Sequence, residues 1–253
     1  MIEIEDKGSI STIRLVRGKG NALNLELATA LTEALDKFEK SPARAGIITG
    51  QGNVFGAGVD LMALIEGSTD YANKFLPQLM RLFQRLATFP KPLVAAVNGH
   101  AIAGGAIMML ACDQRLLARG KARIGLSEVV VGVVFPAWAI EIARFATPPQ
   151  HFPTLICTGR TWLPEDALAR GLVDELVEPE KLLDRAFEVA TELAAIPPAV
   201  YSTTKMAVRR PMFEAAREQA AKTDAAVMQH WLSPETMRTI AKFAEQNIKR
   251  KAE

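Results

Sequence analysis

The chain has 253 residues, 49% hydrophobic and 23% charged, which is the composition of a globular protein long enough to bury a full core without disulfides or a structural metal. Thirty Lys and Arg against 28 Asp and Glu leave a net charge of +2, too small an excess for a nucleic-acid surface yet suited to a small anionic ligand. The two cysteines, Cys112 and Cys157, lie far apart in apolar segments, which argues against a disulfide framework and fits a reducing cytoplasm.

The N-terminal stretch MIEIEDKGSIS has no basic region followed by an apolar run, so no secretory signal is expected in it. Residues 2–5 and 9–16 read as two strands separated by the turn Asp6-Lys7-Gly8. NALNLELATALTEALDKFEK follows as an amphipathic helix, with Asn24 as N-cap and Leu27, Leu31, Leu35 and Phe38 on one face. AGIITG (45–50) reads as a buried strand. A second amphipathic helix is predicted over 71–88 and is stopped by Pro90 and Pro92. LVAAVNG (93–99) and QRLLAR (114–119) read as further core strands. AIAGGAIMMLAC (101–112) is the most apolar stretch, but a membrane span takes about 20 residues. A soluble, cytoplasmic protein without a membrane partner is expected.

Strands that are continuous apolar runs and alternate with helices mark an α/β fold, with a parallel sheet covered on both faces. No internal repeat or low-complexity tract is visible. Two prolines at IPPAV (196–200) break the pattern, and beyond them the chain is helical and charged. The sequence therefore divides into a core, 1–195, and a helical appendage, 196–253, of the kind that packs against a partner subunit.

Three segments have the makings of a site. In GNVFGAGVDL (52–61), small residues after a strand allow backbone N–H groups to approach a ligand. In NGHAIAGGAIMML (98–110) a strand end, glycines and a helix start expose N–H groups that stabilise negative charge. In IGLSEVVVGVVFPAW (124–138) a single acid, Glu128, stands among uncharged residues. Each Gly-rich segment alone is as well explained by a tight turn. Facing one another, two such turns would make an oxyanion hole.

In order and spacing, FGAGVDL, NGHAIAGGA and IGLSEVVVG resemble the crotonase (enoyl-CoA hydratase/isomerase) superfamily. RGKGNALN (17–24) is similar to that family's CoA-loop motif, WLPEDALARGLVDELV (162–177) to the segment after its active-site region, and TKMAV (204–208) to the helix that opens its C-terminal part. The resemblance implies a spiral of ββα units with C-terminal helices that build trimers or dimers of trimers. It implies an acyl-CoA thioester substrate, with coenzyme A part of the substrate and no separate cofactor. Matched residue by residue, the thioester oxygen would lie between the backbone N–H groups of Val59 and Gly104. Lys19, Ala22, Leu23, Phe55, Ala57, Gly58, Asp60, Leu61, Gly105, Phe135 and Trp138 would surround the substrate, with Phe135 and Trp138 excluding water. The stretch 62–80 would shape the acyl end.

Family hydratases use two glutamates. One matches Glu128; the other falls on Ile107. The extra acid of the dienoyl isomerases falls on Pro136. A lone carboxylate suits Δ3,Δ2-enoyl-CoA isomerases, whose GLNE…PFW pattern is close to GLSE…FPAW. One base removes the C2 proton and returns it at C4. Burial in an apolar pocket should raise the pKa of Glu128 and suit it to both steps. Against this stand an atypical hydratase, and a CoA-ester-binding protein that has lost catalysis. Tyr201-Ser-Thr-Thr-Lys205 is similar to the Y-x-x-x-K of short-chain dehydrogenases, but the glycine run is misplaced for a dinucleotide. Asp113 reads as a capping or pairing residue, and His100 as a packed or solvent-touching histidine ahead of a place in the pocket wall. His100, His151 and His230 are scattered, which predicts no metal site.

Overall fold

The computed structural model describes residues 1–67 and 69–247. Strands β1 (Ile2–Lys7) and β2 (Ile10–Leu15) form an antiparallel hairpin, turning at Gly8. Helix α1 (Leu25–Lys40) starts where the Asn24 side chain accepts the Leu27 N–H, and it buries Leu27, Leu31, Leu35 and Phe38. Both elements follow the sequence pattern closely.

The chain then repeats one path. A long strand enters a large sheet, a short strand enters a second sheet, and a helix returns. The first coil is β3 (Ala45–Gly50), β4 (Val54–Gly56), α2 (Leu61–Glu66) and α3 (Thr69–Ala87). The second is β5 (Leu93–Val97), β6 (His100–Ile102) and α4 (Gly104–Leu110). The third is β7 (Gln114–Ala118), β8 (Ile124–Gly125), α5 (Glu128–Val131) and α6 (Ala137–Ala146). There follow α7 (Phe152–Cys157), β9 (Thr161–Trp162), α8 (Pro164–Ala169), β10 (Glu175–Val177), a 3-10 turn, α9 (Leu182–Ala195), α10 (Pro198–Trp231) and α11 (Pro234–Asn247). The large sheet runs β1-β2-β3-β5-β7-β10 and is parallel after the first pair. The small one runs β4-β6-β8-β9 and is parallel up to its last pair. This is the ββα spiral. Its repeat is structural and leaves no repeat in the sequence, because each coil needs only an apolar run and a turn.

Alternation along the central strands divides the core. Ile47, Ala96 and Leu116 face α9, while Ile48, Ala95, Val97 and Leu117 face the larger cluster on the opposite side. Successive coils touch at Gly56 and Gly105: a Cβ on Gly105 would lie 2.1 Å from the Gly56 carbonyl oxygen. The start of α4 is thereby pressed against the end of β4.

The segment 196–253 differs from a free appendage. As expected, the prolines separate α9 from α10, but α10 packs on α6 and α11 on α2 of the same chain. Lys205 and Arg209 of α10 reach Asp113 at 2.6 and 2.8 Å. Residues 248–253 of that segment, and Ser68 within 62–80, lie outside the described residues. Among the described residues no helix is long and apolar enough to cross a membrane.

Candidate active site

Glu128 opens α5, a single helical turn between β8 and a loop. Gly132 ends the turn in the left-handed region, at φ 87°, and the Gly132 and Val133 N–H groups both donate to the Glu128 carbonyl at 3.0 Å. The side chain is 9% exposed, and its Oε2 has no hydrogen-bond partner among the described residues. Burial pushes the Glu128 carboxyl up to about 8, opposed by backbone hydrogen bonds from Glu128 and Ser127. Asp113, one coil earlier, is paired and takes no part.

Segment 17–24 forms the opposite wall. Asn21 sits at φ 45°; its Oδ1 accepts the Arg17 N–H and its Nδ2 donates to the Val54 carbonyl, both at 2.9 Å. The Arg17 guanidinium donates to the Ala22 carbonyl at 2.8 Å and to Asp60 Oδ2 at 2.6 Å. Asp60 Oδ1 meanwhile caps α2 by accepting the Ala63 N–H. The Leu23 N–H donates to Gly58 O at 2.6 Å, and the Asp60 N–H to Leu23 O at 2.8 Å. This one-residue parallel bridge uses the groups on either side of Val59, so the Val59 N–H points away from it.

The Gly104 N–H is the first of α4 and, like that of Val59, meets no backbone acceptor among the described residues. The two turns are in contact. A Cβ on Gly58, which stands at φ 84°, would lie 2.7 Å from the Ala103 Cβ and 3.4 Å from the Gly104 nitrogen. Ala103 itself holds φ 51° and ψ −126°, a conformation native to glycine that costs a residue with a Cβ about 1–3 kcal/mol. The neighbouring turn thus holds Ala103, and with it the direction of the Gly104 N–H.

These elements enclose a cavity of about 510 Å³. Of the residues singled out in the sequence, Ala22, Ala57, Val59, Asp60, Leu61, Gly104 and Glu128 line it. Leu23 and Phe55 are buried behind the wall, Gly58 and Gly105 pack backbone on backbone, and Lys19 is exposed outside. Phe135 and Trp138 require a correction. Trp138 packs on Phe213 of α10, ring centroids 6.4 Å apart, and Phe135 lines a smaller cavity between α6 and α10. From this segment the cavity wall takes Ser127, Val131, Val133, Pro136 and Ala139 instead. A helix turns about 100° per residue, so Pro136 and Ala139 share a face that Trp138 cannot join.

Sequence reasoning missed Trp231, Phe243 and Asn247, which close the cavity from α10 and α11. Only the isolated Trp in a charged helix hinted at them. From 62–80, the wall takes Met62 and Leu79.

Among the described residues, Asp60 and Glu128 are the only acids or bases in the lining, and Asp60 is engaged by Arg17. Ile107 is fully buried and outside the lining. His100 is outside it too, its Nδ1 accepting the Arg123 N–H at 3.0 Å. Tyr201 and Lys205 both bond Asp113, so the Y-x-x-x-K spacing serves packing. Among the described residues no three His, Cys, Asp or Glu gather as metal ligands would.

The Enoyl-CoA hydratase/isomerase family model matches residues 5–252. A short-chain-enoyl-CoA hydratase of Clostridium acetobutylicum is 31% identical over 212 residues, 83% of this chain and 81% of that protein. The mitochondrial enoyl-CoA delta isomerase 1 of Mus musculus is 30% identical over 213 residues, 83% of this chain and 74% of that protein. The crystal structure of human mitochondrial delta3-delta2-enoyl-CoA isomerase superposes with a TM-score of 0.93 at 25% identity, covering 99% of each chain. With the spiral and its cavity already in place, these matches establish that the chain belongs to the crotonase superfamily of enoyl-CoA hydratases and isomerases.

Proposed function

We propose that this protein isomerises 3-enoyl-CoA thioesters to 2-enoyl-CoA thioesters, with Glu128 as the single acid–base. One observation carries the reading: among the described residues lining the cavity, Glu128 is the carboxyl without an ion pair, and its unbonded Oε2 is buried. The C2 proton of a 3-enoyl thioester is acidified by both the thioester and the alkene. The Glu128 carboxylate takes that proton. The electrons of the broken C–H bond pass into the C1–C2 bond as the carbonyl electrons move onto the oxygen, giving the dienolate. On its collapse the carbonyl re-forms, the C1–C2 pair becomes the C2–C3 double bond, and the C3–C4 π pair takes the proton back from the same carboxyl at C4. The Val59 and Gly104 N–H groups hold the enolate oxygen, a contribution of about 2.7–4 kcal/mol for each donor. Ala22, Ala57, Asp60 and Leu61 border the thioester, with Lys19 at the entrance for the CoA phosphates. A trimer or hexamer built through the C-terminal helices completes the proposal.

A hydratase is the second reading, favoured by Ser127, a hydroxyl-bearing residue that lines the cavity next to Glu128. Wild type and Glu128→Gln assayed on a 3-enoyl-CoA and on crotonyl-CoA decide between them. Isomerisation that exceeds hydration in wild type and falls about 10²–10⁴-fold in the variant supports the single-base mechanism. Efficient hydration of crotonyl-CoA by wild type overturns it. Binding of CoA esters without turnover would favour a non-catalytic protein.

A further inference from the structure

A four-residue helix such as α5 does not hold itself together. Its shape comes from what touches it and the loop that follows. Two consecutive residues at the end of α10 reach that loop. The Trp231 indole N–H donates to the Val134 carbonyl at 2.8 Å, and the His230 Nε2 lies 3.2 Å from the Gly132 carbonyl. The α10–α11 corner behind them is braced as well. The Ser233 and Thr236 hydroxyls are 3.0 Å apart, and Thr236 Oγ1 is 3.3 Å from the same His230 nitrogen. Helix α11 presses so closely that a Cβ on Gly132 would stand 2.6 Å from Thr239 Cγ2. Trp231 is buried, and it also forms part of the cavity wall.

We infer that Trp231 and His230 are positioning residues for Glu128: by holding the carbonyls of Val134 and Gly132 they fix the loop that keeps the Glu128 carboxyl buried and facing the cavity. The inference rests on the reading of Glu128 as the acid–base. Gly132 and Val133 both bond the Glu128 carbonyl, so a displacement of the loop is a displacement of Glu128. Letting the loop relax admits water to Oε2 and removes the burial that keeps the carboxyl neutral. Charged groups on the surrounding elements are Asp60 with Arg17 across the cavity, His230 and Asp224 on α10, Arg160 beside Val130, and Glu235, Arg238, Lys242 and Glu245 on α11. None of them contributes to the shift of Glu128, which comes from burial opposed by backbone hydrogen bonds.

The experiment titrates Glu128 directly by ¹³C NMR of protein labelled at the glutamate carboxyl, with Glu128→Gln identifying the signal. Trp231→Phe keeps an aromatic ring and removes the N–H together with the five-membered ring that carries it, so His230→Ala, which leaves the indole in place, is read beside it. Its Glu128 midpoint should fall from about 8 in wild type toward the ordinary carboxylate range. In the same variant kcat on a 3-enoyl-CoA should fall about 10- to 100-fold with KM nearly unchanged, the signature of a misplaced catalytic group. His230→Ala, at an exposed position, should shift the midpoint in the same direction by less, and it decides the question if Trp231→Phe does not fold. A Glu128 midpoint unmoved in the folded variants overturns the inference whatever happens to the rate, because an indole that merely touches substrate can also slow turnover. If wild type isomerises no enoyl-CoA, the functional reading fails while the titration still decides the positioning role.

Discussion

Asp113, a half-buried carboxylate between the second and third coils, and Glu128, a buried one within the third, have opposite surroundings. Asp113 accepts from Lys205 at 2.6 Å, from Arg209 at 2.8 Å and from the Leu93 N–H at 2.8 Å. Arg209 also donates to the Ala87 and Ala111 carbonyls, so the cluster is close to fully satisfied. It fastens α10 to the core. Glu128 has an empty oxygen, no cation and an open cavity in front of it. A buried charge that is paired holds a fold together, whereas one left unpaired stays neutral and is free to exchange a proton. The difference teaches which acid to suspect.

The sharpest test exchanges each acid for its amide. Asp113→Asn leaves Lys205 and Arg209 buried without a counter-charge and should destabilise the fold by about 3–5 kcal/mol, with kcat per folded molecule retained. Denaturant melts and active-site-normalised rates check both halves. Glu128→Gln should do the reverse, losing activity while gaining stability. The sign follows from the raised pKa. In the native state Glu128 stays protonated up to about pH 8, against 4.5 for the ordinary glutamate carboxyl of the unfolded chain. The unfolded chain therefore releases this proton first as pH rises, and wild type loses stability between those two values. The advantage of the Gln variant should be absent below pH 4.5, grow by roughly 1.4 kcal/mol per pH unit and level off above pH 8. A constant difference across that window would mean that Glu128 is solvated.

The same titration governs turnover. Proton abstraction needs the carboxylate, so kcat/KM on a 3-enoyl-CoA should rise about tenfold per pH unit through neutrality and flatten near pH 8. A flat profile from pH 6 upward breaks the contrast with Asp113. The smallest effect is expected at Ala103→Gly. Relief of the strained backbone, less the entropy glycine adds to the unfolded chain, should raise Tm by about 2–4 °C.

Most of the large sheet was legible in the sequence because β2, β3, β5 and β7 have five or six residues and are rich in apolar ones, and because a turn signal marks β1 off from β2; β10, with three residues, was not. The small sheet was not: β4, β6, β8 and β9 have two or three residues each, too few for any period to register. Glu128 stood out as a lone charge and the two glycine-rich turns as local signals, whereas Val59 and Gly104 within those turns came from the resemblance to the family's motifs. Trp231 and Phe243 reach the cavity from about a hundred residues away, and nothing around them in the chain marks that contact. Phe135 and Trp138 were assigned to the cavity on the likeness of GLSE…FPAW to a family pattern; Trp138 is turned away by the helical position it takes in α6, and Phe135 precedes that helix in the loop and faces α10.

The N–H groups of Val59 and Gly104, which meet no backbone acceptor among the described residues, follow β4 and β6, neighbouring strands of one sheet, and the Gly56–Gly105 contact sets how closely those coils stack. The two donors are thus adjacent threads of one screw, and the gap between them is its pitch. Side chains around the cavity can be exchanged without altering that gap. A single residue inserted between Gly56 and Gly58 would alter it at once, so in this architecture a change of length is a far more disruptive event than a change of residue.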